Sequence, residues 1–187
     1  MLKLLGMSGS LRRGSYNSGL LRAATRLMPD DATLEVASIR GIPLYDADVE
    51  AQGIPAAVAQ LKEAVVAAAG VLLVTPEYNN SIPGVFKNTI DWLSRPNTDA
   101  RRVFGGRPFA IIGASPGSFG TNLSQVAWLP VLRTLGTQFW SGGRLQVSRA
   151  ATVFDEAGNL KDAGVEEQLK QFLAGYVAFV RRATHAG

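Results

Sequence analysis

The sequence predicts an α/β fold: a parallel, doubly wound sheet with helices on both faces. Three observations predict it. Strand-like and helix-like stretches alternate from end to end of the chain. The connections between them are short. The run Val71-Leu72-Leu73-Val74-Thr75 is apolar and β-branched almost throughout, which suits a central parallel strand covered on both faces.

Each element follows from local pattern. Leu2 to Met7 is a first buried strand, with a short apolar core and no cleavage site of the kind a signal peptide carries. Asn17 to Met28 places Leu20, Ala24 and Leu27 at helical spacing. Thr33 to Ile39 is β-rich and is broken by Gly41 and Pro43. Pro55 to Ala69 sets Val58, Leu61, Val65 and Ala68 on one helical face, with Gly70 as its cap, and the central strand follows. Pro83 opens the next helix, whose inner stripe is Phe86, Ile90 and Leu93 and which Pro96 helps to stop. Pro108 to Gly113 is a buried strand and Thr121 to Leu135 a helix. Gln138-Phe139-Trp140 is a fifth strand, Gln146 to Phe154 an extended stretch, and Val165 to Arg182 the last helix. No linker or repeat divides the chain, so residues 1–187 read as one domain.

Composition narrows the function. At 187 residues, 47% hydrophobic and 18% charged, the chain has ordinary globular proportions. No apolar run is long enough to span a bilayer, and the expected compartment is the cytoplasm. There is no cysteine, which excludes disulfides, thiolate nucleophiles and Cys-ligated metals. One histidine and scattered turn carboxylates give no metal site. The net charge is +4, but the basic residues are scattered and cluster only as the pairs Arg12-Arg13, Arg101-Arg102 and Arg181-Arg182, without a basic block interleaved with aromatics. That favours anionic, phosphate-bearing ligands over nucleic acid.

The doubly wound fold puts ligands at the carboxyl ends of its strands, so the loops after strands one, three and four are the candidates. The first runs from Gly6 to Ser18, with Gly9, Ser10, Arg12, Ser15 and Asn17. Glycines turn the backbone, hydroxyls and N–H groups surround a phosphate, the next helix points its positive end there, and Arg12 adds a charge-assisted bond. It matches neither G-x-G-x-x-G nor the Walker pattern, which points to a mononucleotide phosphate. The plainer alternative is a polar turn with a helix cap. The second loop, Thr75 to Gly84, offers a rigid proline, an aromatic ring and several amides around a possible flat heteroaromatic ring. A long surface turn would leave Tyr78 without a role. The third loop, Gly113-Ala114-Ser115-Pro116-Gly117, matches the G-x-S-x-G nucleophile elbow. A hydrolase reading fails because the only histidine, His185, sits in the tail, and because Pro116 has no N–H for an oxyanion hole.

Together these loops resemble the NADPH-dependent FMN reductase family, soluble quinone and chromate reductases related to flavodoxin. The carriers are Gly9-Ser10-Leu11-Arg12 with Ser15 and Asn17, then Pro76-Glu77-Tyr78-Asn79-Asn80-Ser81-Ile82-Pro83-Gly84 running into Lys87-Asn88, then Ser115-Pro116-Gly117. The resemblance covers roughly residues 1–180. It departs at Gly120-Thr121-Asn122-Leu123, where several relatives carry a second glycine pair and a basic residue. It implies a flavodoxin-like three-layer sandwich with sheet order 2-1-3-4-5, non-covalent FMN, NADPH or NADH as donor, and a homodimer or homotetramer. By resemblance, Ser10, Arg12, Ser15 and Asn17 hold the FMN phosphate. Pro76, Glu77, Tyr78 and Asn79 line the isoalloxazine ring, and Ser115 and Gly117 close its other side. The expected chemistry is ping-pong hydride transfer to a quinone or similar small acceptor. FMN performs it, with no catalytic acid or base from the protein. The alternative is an electron carrier or FMN-binding module without its own substrate site. Phe86, Trp92, Phe119 and Trp128 fall near these loops, and any that surface form an apolar patch for a symmetric partner.

Overall fold

The computed structural model describes residues 1–185. Strand β1 (Leu2–Ser8) leads into helix α1 (Tyr16–Arg26), β2 (Ala32–Ala37), short α2 (Ala47–Ala51), α3 (Ala56–Ala67) and β3 (Gly70–Val74). Then come α4 (Gly84–Leu93), a 3₁₀ turn (Asn97–Asp99), α5 (Ala100–Phe104), β4 (Pro108–Ala114) and α6 (Asn122–Thr134). Two short strands, β5 (Gln138–Phe139) and β6 (Gln146–Val147), precede α7 (Ala150–Val153) and the long α8 (Ala163–His185). The pairings are all parallel, in the predicted order β2-β1-β3-β4-β5, with β6 on β4 as well.

Strand periodicity sorts the core into two layers. Leu4, Leu72, Val74, Ala110 and Ile112 face α1 and α8, where they meet Leu20, Phe172, Leu173 and Tyr176. Leu5, Met7, Val71, Leu73, Phe109 and Ile111 face the other way, onto Val58, Leu61, Phe86, Ile90 and Trp128 of α3, α4 and α6. Tyr176 ties α8 to the sheet: its hydroxyl donates between the carbonyls of Val71 (2.9 Å) and Pro108 (3.0 Å). Burial pushes this phenol above its ordinary range.

Gly70 does not cap α3, which ends at Ala67. It opens β3, where a Cβ would stand 2.7 Å from the Tyr176 hydroxyl. The stretch from 146 to 154 is extended only at Gln146–Val147 and turns helical over Ala150–Val153. The fifth row of the sheet is split. β5 pairs with the start of β4 at Pro108 and Phe109, and β6 with its end at Gly113 and Ala114. Between them Trp140 folds inward, with glycine positions 142, 143 and 175 lying where a Cβ would come within 2.6–2.8 Å of its ring. No helix among the described residues is long and apolar enough to cross a membrane.

Candidate functional site

Three loops meet at the carboxyl edge of β1, β3 and β4 around a cleft of about 400 Å³. Sites for small ligands span roughly 300–1,000 Å³. Eight of the ten sequence-predicted residues line it: Ser10, Arg12, Ser15, Asn17, Pro76, Glu77, Tyr78 and Ser115. Asn79 and Gly117 fall outside that lining. Tyr16, Ala114 and Pro116 complete it.

The first loop forms the polar end. Ser15 is the N-cap of α1, its hydroxyl accepting from the Ser18 N–H at 3.3 Å. The first N–H groups of the helix, at Tyr16 and Asn17, have no acceptor inside it. They sit beside Ser10 and Arg12, which makes this end an anion site. The Arg12 guanidinium lies 5.3 Å from the centre of the Tyr16 ring, and that ring leans on Phe154 at 5.6 Å. Tyr16 thus braces the arginine. Its position four residues after Arg12 was the available signal.

Asn17 does something the sequence did not reveal. Its amide is buried, donating from Nδ2 to the Ala114 carbonyl and accepting at Oδ1 from the Ala114 N–H, both at 2.8 Å. The side chain clasps the end of β4, which leaves its main-chain N–H as the group for an anion.

The second loop forms the ring end. Asn79 and Asn80 have φ of 50° and 60°, and Tyr78 and Ser81 exchange two main-chain hydrogen bonds of 3.1 and 3.0 Å. This is a two-residue turn of the type that asparagine tolerates. It places Asn79 at the exposed tip and leaves Tyr78 50% exposed beside the cleft. The Glu77 carboxylate accepts from the Ser124 N–H at 3.0 Å, at the positive end of α6. Beneath, a buried hydroxyl pair, Thr75 and Ser124, sits 2.9 Å apart, and the Trp128 indole donates to Thr75 at 3.1 Å. The main-chain N–H groups of Glu77 and Asn79 have no acceptor among the described residues.

The loops close on one another because two positions lack a side chain. A Cβ on Gly9 would lie 2.2 Å from Phe86, and one on Gly113 would lie 2.2 Å from both Thr121 and the Thr75 carbonyl. Phe86, Trp92 and Trp128 are core residues, while Phe119 is 82% exposed.

The Ser115 hydroxyl accepts from the Gly117 N–H at 3.2 Å and faces no base. Val180 lies against Gly70, at the amino end of β3, so α8 ends on the opposite edge of the sheet from Ser115. The reading of His185 as a solvated side chain lies outside the described residues. Among the described residues, the elbow serine has no hydrogen-bonded proton acceptor. No cluster of metal-ligating side chains occurs among the described residues.

FMN fits this cleft on its donor set. One end gathers a guanidinium, a hydroxyl and helix N–H groups suited to a phosphate. The other offers an aromatic face and unpaired main-chain N–H groups suited to the polar edge of a flat ring.

The model of the NADPH-dependent FMN reductase family matches residues 2–152. An NAD(P)H-dependent FMN reductase of Pseudomonas aeruginosa is 44% identical over 181 residues, covering 97% of this chain and 96% of that one. A 2-hydroxy-1,4-benzoquinone reductase of a Burkholderia species is 37% identical, covering 96% and 97%. The structure of FerB, an NAD(P)H:(acceptor) oxidoreductase of Paracoccus denitrificans, superposes with a TM-score of 0.87 at 31% identity, covering 98% and 99%. Loops, cleft and kinship agree, and the chain belongs to the NADPH-dependent FMN reductase family.

Proposed function

We propose that this FMN-dependent NAD(P)H oxidoreductase reduces a flat, quinone-like acceptor by a ping-pong mechanism, as a homodimer or homotetramer in the cytoplasm. The observation that carries the reading is a cleft that joins an end suited to an anion with an end suited to a flat ring. When bound, FMN would supply the hydride-transfer chemistry.

The protein binds and orients. Ser10, Arg12 and the N–H groups of Tyr16 and Asn17 hold the phosphate, with Ser15 fixing the helix end that presents them. Pro76, Tyr78 and the N–H groups of Glu77 and Asn79 hold the ring, and N–H groups aimed at its pyrimidine edge favour the charge it gains on reduction. Ser115 closes the far wall, with the Gly117 N–H bonded to its hydroxyl from outside the lining. The Glu77 carboxylate caps α6, which leaves its main-chain N–H as the group offered to the ring. An electron carrier of this fold is the competing reading, and the +4 charge favours an enzyme that receives an anionic nucleotide.

Beside the third loop, Phe119 and then Leu123, Val126 and Leu129 of α6 are exposed. They make an apolar face next to the cleft, which a second copy would cover. Donor and acceptor then share one open flavin face and bind in turn. Initial-rate matrices should give parallel double-reciprocal lines, and light scattering a mass above one chain. Intersecting lines or a fully active monomer would overturn the proposal.

A further inference from the structure

Behind the first loop, between it and the end of β2, lies a second recess of about 240 Å³. Arginines that are scattered in sequence converge there: Arg12, Arg13, Arg22 and Arg40. Ser10 and Ser38 add hydroxyls, and no carboxylate lines the wall. None of the four arginines forms an ion pair among the described residues. Arg22 donates to the Gly158 carbonyl at 2.9 Å and Arg40 to the Leu11 carbonyl, which leaves each with further donors. Arg13 has no side-chain partner among the described residues. Four guanidinium groups around one small recess repel one another, and a dianion relieves that repulsion with charge-assisted bonds.

We propose that this recess is the subsite for the 2′-phosphate of NADPH and that it sets the preference for NADPH over NADH. The inference rests on the oxidoreductase reading above and deepens it. Three features separate the recess from the place of the flavin phosphate. The helix N–H groups of Tyr16 and Asn17 serve the cleft, and neither residue lines the recess. The recess has room for a phosphate and part of a sugar, not for a flavin as well. Arg12 and Ser10 line both cavities, so the recess adjoins the cleft, within reach of a long molecule whose other end is at the ring. A phosphomonoester with two negative charges is the chemistry that four arginines and the serine hydroxyls beside them select. In a nicotinamide donor, the 2′-phosphate alone distinguishes NADPH from NADH.

The test uses Arg13→Ala and Arg40→Ala in the holoenzyme, because these residues line the recess and not the cleft. kcat/KM should fall about tenfold with NADPH and stay within about twofold with NADH. Calorimetry supplies a readout free of turnover. Adenosine 2′,5′-bisphosphate should bind the unaltered protein about tenfold more tightly than adenosine 5′-monophosphate, and each variant should erase that difference. Equal losses with both donors, or equal binding of the two adenosine nucleotides by the unaltered protein, would overturn the proposal. So would FMN loss in Arg13→Ala with an unchanged donor ratio, which would give the recess to the flavin phosphate. Absence of NAD(P)H oxidation by the unaltered holoenzyme is a separate failure. It would remove the oxidoreductase reading, while the adenosine nucleotides would still report on the recess.

Discussion

Charge gathers at two places in this chain, and only one of them is balanced. Against the start of α5, Lys62 pairs with Asp99 at 2.8 Å, while Arg102 bonds Asp99 at 2.6 Å and Glu63 at 2.8 Å. Two cations meet two carboxylates, and buried Lys62 also reaches the Arg95 carbonyl. Behind the first loop, four arginines meet no carboxylate. A balanced cluster is complete within the chain and works as structure. An unbalanced one is complete only when an anion arrives. The difference separates a fold-stabilising group from a binding group where burial and residue type alone do not.

The sharpest way to break that contrast is Asp99→Asn. It leaves Lys62 buried without its carboxylate and should cost about 3 kcal/mol of stability in urea unfolding, with FMN affinity unchanged. The effect has a pH signature. Hydrogen bonds from Arg102 and Lys62 hold the Asp99 carboxyl at about 2, below its ordinary value of 3.8. A lowered folded-state pKa gives stability that is present above about pH 4 and is lost as pH falls toward 2. The gap between the unaltered protein and Asp99→Asn should therefore close over that acid window. A constant gap would show that the pair contributes no linkage.

Next in size is Arg12→Ala, on the unbalanced side. It should weaken FMN binding by about 2 kcal/mol, read as a higher dissociation constant in flavin titration, with little change in unfolding. An unchanged dissociation constant would take Arg12 out of the phosphate site. The smallest effect belongs to Ser115→Ala. Most turnover should survive, since the hydroxyl only accepts from the Gly117 N–H. Covalent labelling of Ser115 by serine-directed reagents would contradict the flavin reading and restore a nucleophile.

Much of this molecule is legible in its sequence, where the determining contacts are local. The apolar runs of β1, β3 and β4 are read correctly because burial on both faces leaves no other pattern. The loop motifs identify the cleft because phosphate and ring binding need particular residue types close together. What escapes depends on distant partners. The Asn17 amide has a partner no local pattern shows, Ala114, 97 positions away. The partner of the Glu77 carboxylate, the Ser124 N–H at the start of α6, is 47 positions away and equally hidden. The fifth strand looks continuous because nothing local shows that Trp140 will turn inward over glycines, one of which, Gly175, lies on α8. The scattered arginines escape for the same reason as Asn17, since β2 returns Arg40 beside Arg12 only in three dimensions.

The Asn17–Ala114 clasp also makes the two ends of the cleft mechanically one. The turn of helix that receives the phosphate is bolted through a side-chain amide to the strand end that carries the third loop. Because the clasp is already closed in the chain itself, the helix start proposed to meet the phosphate and the strand end that carries the third loop keep a fixed spacing, which sets the cleft for a molecule of one length.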